Sequence, residues 1–203
     1  MTHPPNARLE AFCDAVFAIA MTLLILDVRL PNAESLATTR EVWRAIGHMT
    51  PAVFAFVLSF AVILITWVNH HAALKLVSHS SAPFVYANGF MLLVVVSIPF
   101  PSELVGVFLW TDRAAPAVVL YNAVLAALAL AWVLVGGSAL RGHLTIDEAS
   151  ARTMREGQRN GFGALALYAV LAVVAFWWPL ASAAVTSLTW VFWLVHGLRM
   201  RHV

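Results

Sequence analysis

The chain has 203 residues, of which 62% are hydrophobic and 11% charged, with a mean hydropathy of +0.84. A soluble domain of this size carries roughly 25% charged and 45–50% apolar residues, so much of this surface is built to face lipid. The net charge of +2 is small, the basic residues form no nucleic-acid patch, and a single cysteine, Cys13, excludes an internal disulfide or a thiolate metal cluster.

The N-terminus, "MTHPPNARLEAF", lacks the basic region, apolar core and small-residue cleavage site of a signal peptide. The first apolar segment is therefore expected to stay in the mature protein. Six apolar runs of about 20 residues follow one another, at 11–30, 50–69, 84–108, 116–138, 161–179 and 181–198. Each suits a hydrocarbon core of ~30 Å. Backbone groups in lipid must be satisfied locally, so helices are expected. The fold class is thus an all-α integral membrane protein, a single domain over 1–203 with six transmembrane helices. Pro99 and Pro101 are expected to kink or break the third run. The polar stretch 139–160 contains Thr145-x-x-Glu148, a capping-box pattern that predicts the start of a short helix. The glycine pair of "GGS" at 136–138 reads as a packing or turn feature.

Six spans place both termini on one side. That side holds eight basic residues: Arg8, Lys75, Arg141, Arg152, Arg155, Arg159, Arg199 and Arg201. The other holds four: Arg29, Arg40, Arg44 and Arg113. The excess predicts cytoplasmic termini. Most tryptophans, Trp43, Trp67 and Trp110 among them, fall near span ends, as interfacial tryptophans do.

Two stretches depart from plain anchors. In the first span Ile19, Leu23 and Leu26 fall at i, i+4 and i+7, one stripe of a helix, with Phe12 and Leu30 extending it. Every membrane helix has such stripes for packing or for lipid. Several copies around an axis would instead turn this one into stacked apolar rings, which close a pore by dewetting and pass ions when they widen. Asp14 sits near the inner end of the same span. It reads either as an interfacial acid favoured by the helix dipole or as a buried hydrogen-bond hub, since intramembrane acids seek partners. The second stretch is "TWVNHH", 66–71. His70 and His71 are adjacent and diverge by about 100° on a helix, so they do not chelate one metal. They form either an interfacial belt with Trp67 and Asn69 or a network with the first helix, which an antiparallel neighbour would bring alongside. Catalytic motifs, a phosphate loop and a TVGYG-type filter are all missing from the sequence. No cofactor or metal is called for, and the chain is read as no enzyme.

"RLEAFCD" at 8–14 resembles the R-x-x-x-F-S-D signature of the transmembrane protein 175 family of potassium channels, and "VFAIAMTLLILDV" is similar to the segment after that signature in bacterial members. "ITWVNHH" and "PFPSEL" are similar as well. The resemblance implies a homotetramer of six-helix subunits with the first helix lining a central pore, and potassium and other monovalent cations as permeants. It implies a constriction at Ile19, continued by Leu23 and Leu26, with Thr22 as a polar ring. It also implies that Arg8, Phe12 and Asp14 brace the pore helix against Trp67 and His70 or His71. Cys13 stands where the signature has serine, and Met21 where isoleucine is common. Asp27 would add negative potential at the outer mouth. The partners implied are copies of the chain itself and membrane lipid. The rival reading is a secondary transporter that moves protons or cations through Asp14 and Asp27.

Overall fold

The structure is a computed structural model that describes residues 6–29 and 36–199. It is an antiparallel helical bundle. Helix α1 (Ala7–Leu23) tightens into a 3₁₀ turn (Leu24–Asp27); then come α2 (Thr39–His48), α3 (Thr50–Leu74), α4 (Ala82–Ser97), α5 (Pro99–Phe108), α6 (Ala114–Arg141), α7 (Glu148–Val174) and α8 (Pro179–Arg199). Leu30 lies outside the described residues.

Four of the expected spans are long and apolar enough to cross a membrane among the described residues: Ala7–Asp27, Thr50–Leu74, Ala82–Phe108 and Ala114–Arg141. The expected runs 161–179 and 181–198 fall on α7 and α8, and among the described residues α7 does not meet that criterion. The first three turns of α7 are charged, and its apolar part, Gly161–Val174, is only about 21 Å long.

Local chemistry explains most boundaries. Pro99 has no N–H for the Val95 carbonyl, so α4 stops there; the Ile98 N–H donates to that carbonyl instead, at 3.2 Å. The expected break in the third span is therefore real, and α5 resumes as a separate helix. The 3₁₀ turn after α1 closes with the Val28 N–H on the Ile25 carbonyl, and Arg29 Nε donates to the Leu26 carbonyl at 3.0 Å. α2 replaces what the sequence reading treated as an outer loop. Thr38 and Glu41 form a reciprocal capping box at its start, a Thr-x-x-Glu signal as legible as the one at 145–148.

That second pattern misled. The N-cap of α7 is Asp147, whose Oδ1 accepts the Ser150 N–H at 2.7 Å. Thr145 instead pairs with Val77 in an isolated antiparallel bridge, flanked by Ser78 N–H to the Leu144 carbonyl and Ile146 N–H to the Leu76 carbonyl. The helix beyond it is 27 residues long, not short. The Ser150 backbone N–H, with help from its side chain, holds the Asp147 carboxyl below the usual carboxylate range. A depressed carboxyl stabilises the fold above its unfolded pKa, and that contribution is lost as pH falls through the folded value. Asp147→Ala is therefore expected to lower the melting temperature at neutral pH. The gap to wild type should shrink in acid, as thermal denaturation in detergent at both pH values will show.

The core runs between α1, α3, α4 and α6. Cys13, Phe17, Ala20 and Leu24 form the buried stripe of α1, against Val62 and Ile63 of α3 and Met91 and Val95 of α4 in one cluster. In lipid such packing acts through van der Waals contact more than through water exclusion, so it depends on close fit. Cys13 is fully buried there, where a thiol behaves as a small apolar group.

Candidate functional site

α1 has two unlike faces. Opposite its buried stripe it leaves Phe12, Ile19, Leu23 and Leu26 at 62%, 56%, 41% and 58% exposure. Ile19, Leu23 and Leu26 lie on one line down the helix, and the 3₁₀ turn carries Leu26 and Ile25 outward at its end. Thr22 is exposed on the same side, and its hydroxyl donates to the Ile19 carbonyl at 2.8 Å. With its proton committed to the backbone, the oxygen turns lone pairs outward, the polarity a cation requires. Met21 is half-buried and packs on the core, off this face.

The N-terminal half of α1 is tied to α3. Trp67 Nε1 donates to Asp14 Oδ1 at 2.8 Å. His71 Nδ1 lies 2.8 Å from Glu10 Oε1, and its ring stacks on Trp67 at 6.3 Å. Asp14 is thus half-buried and partnered across helices. The two histidines part company: His70 is buried and its Nε2 meets Asn88 Oδ1 of α4 at 2.7 Å. Its ring also packs on Phe17 at 5.5 Å. The sequence reading ended the second span at residue 69, yet α3 runs on to Leu74, which carries "TWVNHH" inside the bundle.

Two expected members of this brace are elsewhere. Arg8 and Phe12 are exposed, on the same side as Ile19, and among the described residues neither makes a polar or ring contact with α3. The helical period explains it: residues 8, 12, 15, 19, 23 and 26 share one side, whereas Glu10, Asp14 and Phe17 turn toward the neighbours. Sequence reasoning missed Glu10, which sits two residues from Arg8, and missed Asn6 and Asn88. Asn6 is buried; its Nδ2 donates to the Val77 carbonyl at 2.9 Å and its Oδ1 accepts from Ser80 Oγ at 2.6 Å. Since Val77 also pairs with Thr145, the start of α1 is tied to the α3–α4 and α6–α7 connections. Asn88→Ala leaves His70 Nε2 buried without its partner, and is expected to cost about 1–3 kcal/mol of stability. A fall in melting temperature with unchanged unitary conductance would fit a packing role.

Near the end of the 3₁₀ turn Asp27 turns away from the exposed line. It lines a small crevice with Ala52 and Phe56 of α3 and Ser102, Glu103 and Gly106 of α5, and its Oδ2 is buried with no hydrogen-bond partner among the described residues. Beneath the crevice, Ser59 Oγ sits 2.5 Å from Ser102 Oγ and 3.0 Å from the Tyr121 hydroxyl, tying α3, α5 and α6.

A bundle of membrane-length helices whose first member keeps one apolar face unburied defines a polytopic α-helical membrane protein. Residues 8–99 match the family described as "Endosomal/lysosomal potassium channel TMEM175". A potassium channel of Streptomyces collinus is 39% identical over 155 residues, covering 74% of each chain. A potassium channel of Chamaesiphon minutus is 38% identical over 125 residues, covering 62% of this chain and 61% of that one. Among solved structures, the crystal structure of a lysosomal potassium-selective channel TMEM175 homolog from Chamaesiphon minutus superposes with a TM-score of 0.84. It is 28% identical and covers 95% of this chain and 97% of that one. The chain belongs to the TMEM175 family.

Proposed function

We propose that the chain is one subunit of a homotetrameric, potassium-permeable cation channel of the plasma membrane, in which four copies of α1 line a central pore. Each subunit crosses six times, α7 and α8 included, with both termini cytoplasmic. The observation that carries this reading is the unburied line of Ile19, Leu23 and Leu26 on a helix whose other side is fully packed. The names of its relatives, potassium channels, agree with it.

In this arrangement Ile19 forms the constriction and Leu23 and Leu26 form further apolar rings, with Thr22 oxygens between them. An apolar ring cannot replace a hydration shell as carbonyls do, so discrimination rests on pore width and on the Thr22 lone pairs. Flow is passive. Asp27, joined by Glu103, sets negative potential near the outer end and favours cation entry. Asp14–Trp67 and Glu10–His71 hold the inner end of the pore helix on α3.

Reconstitution in planar bilayers tests this. Single-channel steps are expected, with reversal potentials that follow the potassium gradient more closely than the sodium gradient. Slow, saturable flux coupled to a proton gradient, without unitary steps, would favour the transporter instead.

A further inference from the structure

α6 and α7 enclose an open cleft of about 360 Å³ beside the end of α6. Its chemistry changes along its length. Val133, Leu134 and Phe162 line one part, and Gly137, Gln158 and Arg141, with Leu140 between, the other. The helices run antiparallel, with Gly161 beside Val133 and Gln158 beside Gly136 and Gly137. From Val133 to Arg141 the cleft therefore descends about 12 Å along the helix. Arg141 is the last residue of a candidate span, so the polar end lies at headgroup level and the apolar end among acyl chains.

The polar end is built. A Cβ on Gly137 would stand 2.7 Å from Gln158 Nε2 and 3.2 Å from Arg141 Nη2, so the bare glycine leaves both side-chain ends free to lie close over the helix. Gln158 Nε2 donates to the Val133 carbonyl at 3.2 Å and Arg141 Nε to the Gly137 carbonyl at 3.1 Å. These bonds fix both groups while using few of their N–H donors. Among the described residues no carboxylate forms an ion pair with Arg141: Glu148 pairs with Arg155, and Asp147 caps α7. At the other end Phe162 and Leu134 remain 55% and 37% exposed.

We infer that this cleft binds an anionic phospholipid. The phosphate sits against the Arg141 guanidinium and the Gln158 amide, and an acyl chain lies on Leu134 and Phe162. A cation at the membrane surface above an apolar slot matches such a lipid in both charge and polarity. A free phosphate would leave the apolar half unused.

Native mass spectrometry of the full-length protein in detergent, with equimolar phosphatidylglycerol and phosphatidylcholine, tests the site. Wild type is expected to retain phosphatidylglycerol preferentially. Arg141→Gln is expected to reduce that preference about fivefold, the effect of one interfacial basic residue. Leu134→Trp, which fills the slot and keeps the charge, should lower retention as well, whereas Arg113→Gln at the opposite end should not. Equal retention of the two lipids by wild type, or undiminished preference in both Arg141→Gln and Leu134→Trp, overturns the inference. So does cross-linking of a Phe162→Cys, Cys13→Ser protein to a neighbouring copy, which would give the cleft to a second subunit.

Discussion

Ile19→Asn is expected to raise unitary conductance several-fold and to weaken discrimination between potassium and sodium. Ile19 is a β-branched apolar side chain at the middle of the unburied line on α1, 56% exposed. A ring of isoleucines repels water when narrow, and an ion must pass it with its shell intact or not at all. Asparagine has nearly the same length but brings amide groups that hold water, so the barrier falls. Because position 19 makes no core contact, the fold should tolerate the change, and melting in detergent should differ little from wild type. Planar-bilayer recording checks both conductance and permeability ratio. An unchanged conductance in a stable Ile19→Asn protein would move the narrow point elsewhere.

The second large effect belongs to the inner brace. Asp14→Ala removes the acceptor of Trp67 Nε1 and leaves that N–H half-buried between helices. A hydrogen bond to a charged acceptor in such a place contributes about 1–2 kcal/mol. More is at stake than stability, because the bond fixes the rotation of α1, and a rotated α1 would turn the line of Ile19, Leu23 and Leu26 away from the face it now occupies. Asp14→Ala is therefore expected to lower the melting temperature and also to broaden unitary conductance into several levels. Asp14→Asn keeps an acceptor and should recover most of both. Trp67→Phe removes the donor and should reproduce the Asp14→Ala phenotype, with the double variant no worse than either single one. Additive losses would show that the two side chains act separately.

How much of this was legible in the sequence depends on the range of the signal. Helices and their rough bounds follow from hydropathy, and the break at Pro99 follows from a missing N–H. The unburied face of α1 was legible as a stripe, since residues 19, 23 and 26 share a side by the period of the helix alone. Whether that stripe met lipid, a neighbour or a pore was not, because period says nothing about what lies opposite. The brace was half legible. Asp14 and Trp67 were placed together by antiparallel packing, but the split of His70 to Asn88 and His71 to Glu10 depends on helix rotation to within a fraction of a turn. Arg8 and Phe12 were assigned to the brace by the signature they share with Asp14, although their angular position puts them with Ile19. Thr145-x-x-Glu148 failed for a similar reason. The local pattern was sound, but Thr145 was claimed by a bridge to Val77, a partner 68 residues away that no local window contains. Asn6 and Asn88 gave no signal at all, since a lone asparagine at a helix start or in a span looks the same whether it is idle or bonded.

The central claim is that ions pass along the face of α1 that bears Ile19. It is tested most directly by thiol modification of an Ile19→Cys channel in a Cys13→Ser background, recorded in a planar bilayer while a charged methanethiosulfonate reagent is applied. Open channels are expected to lose most of their current in discrete steps as each position 19 thiol reacts, and wild-type channels, whose one cysteine is buried in the core, are expected to be unaffected. Full current after labelling at position 19 has been verified by mass spectrometry would contradict it.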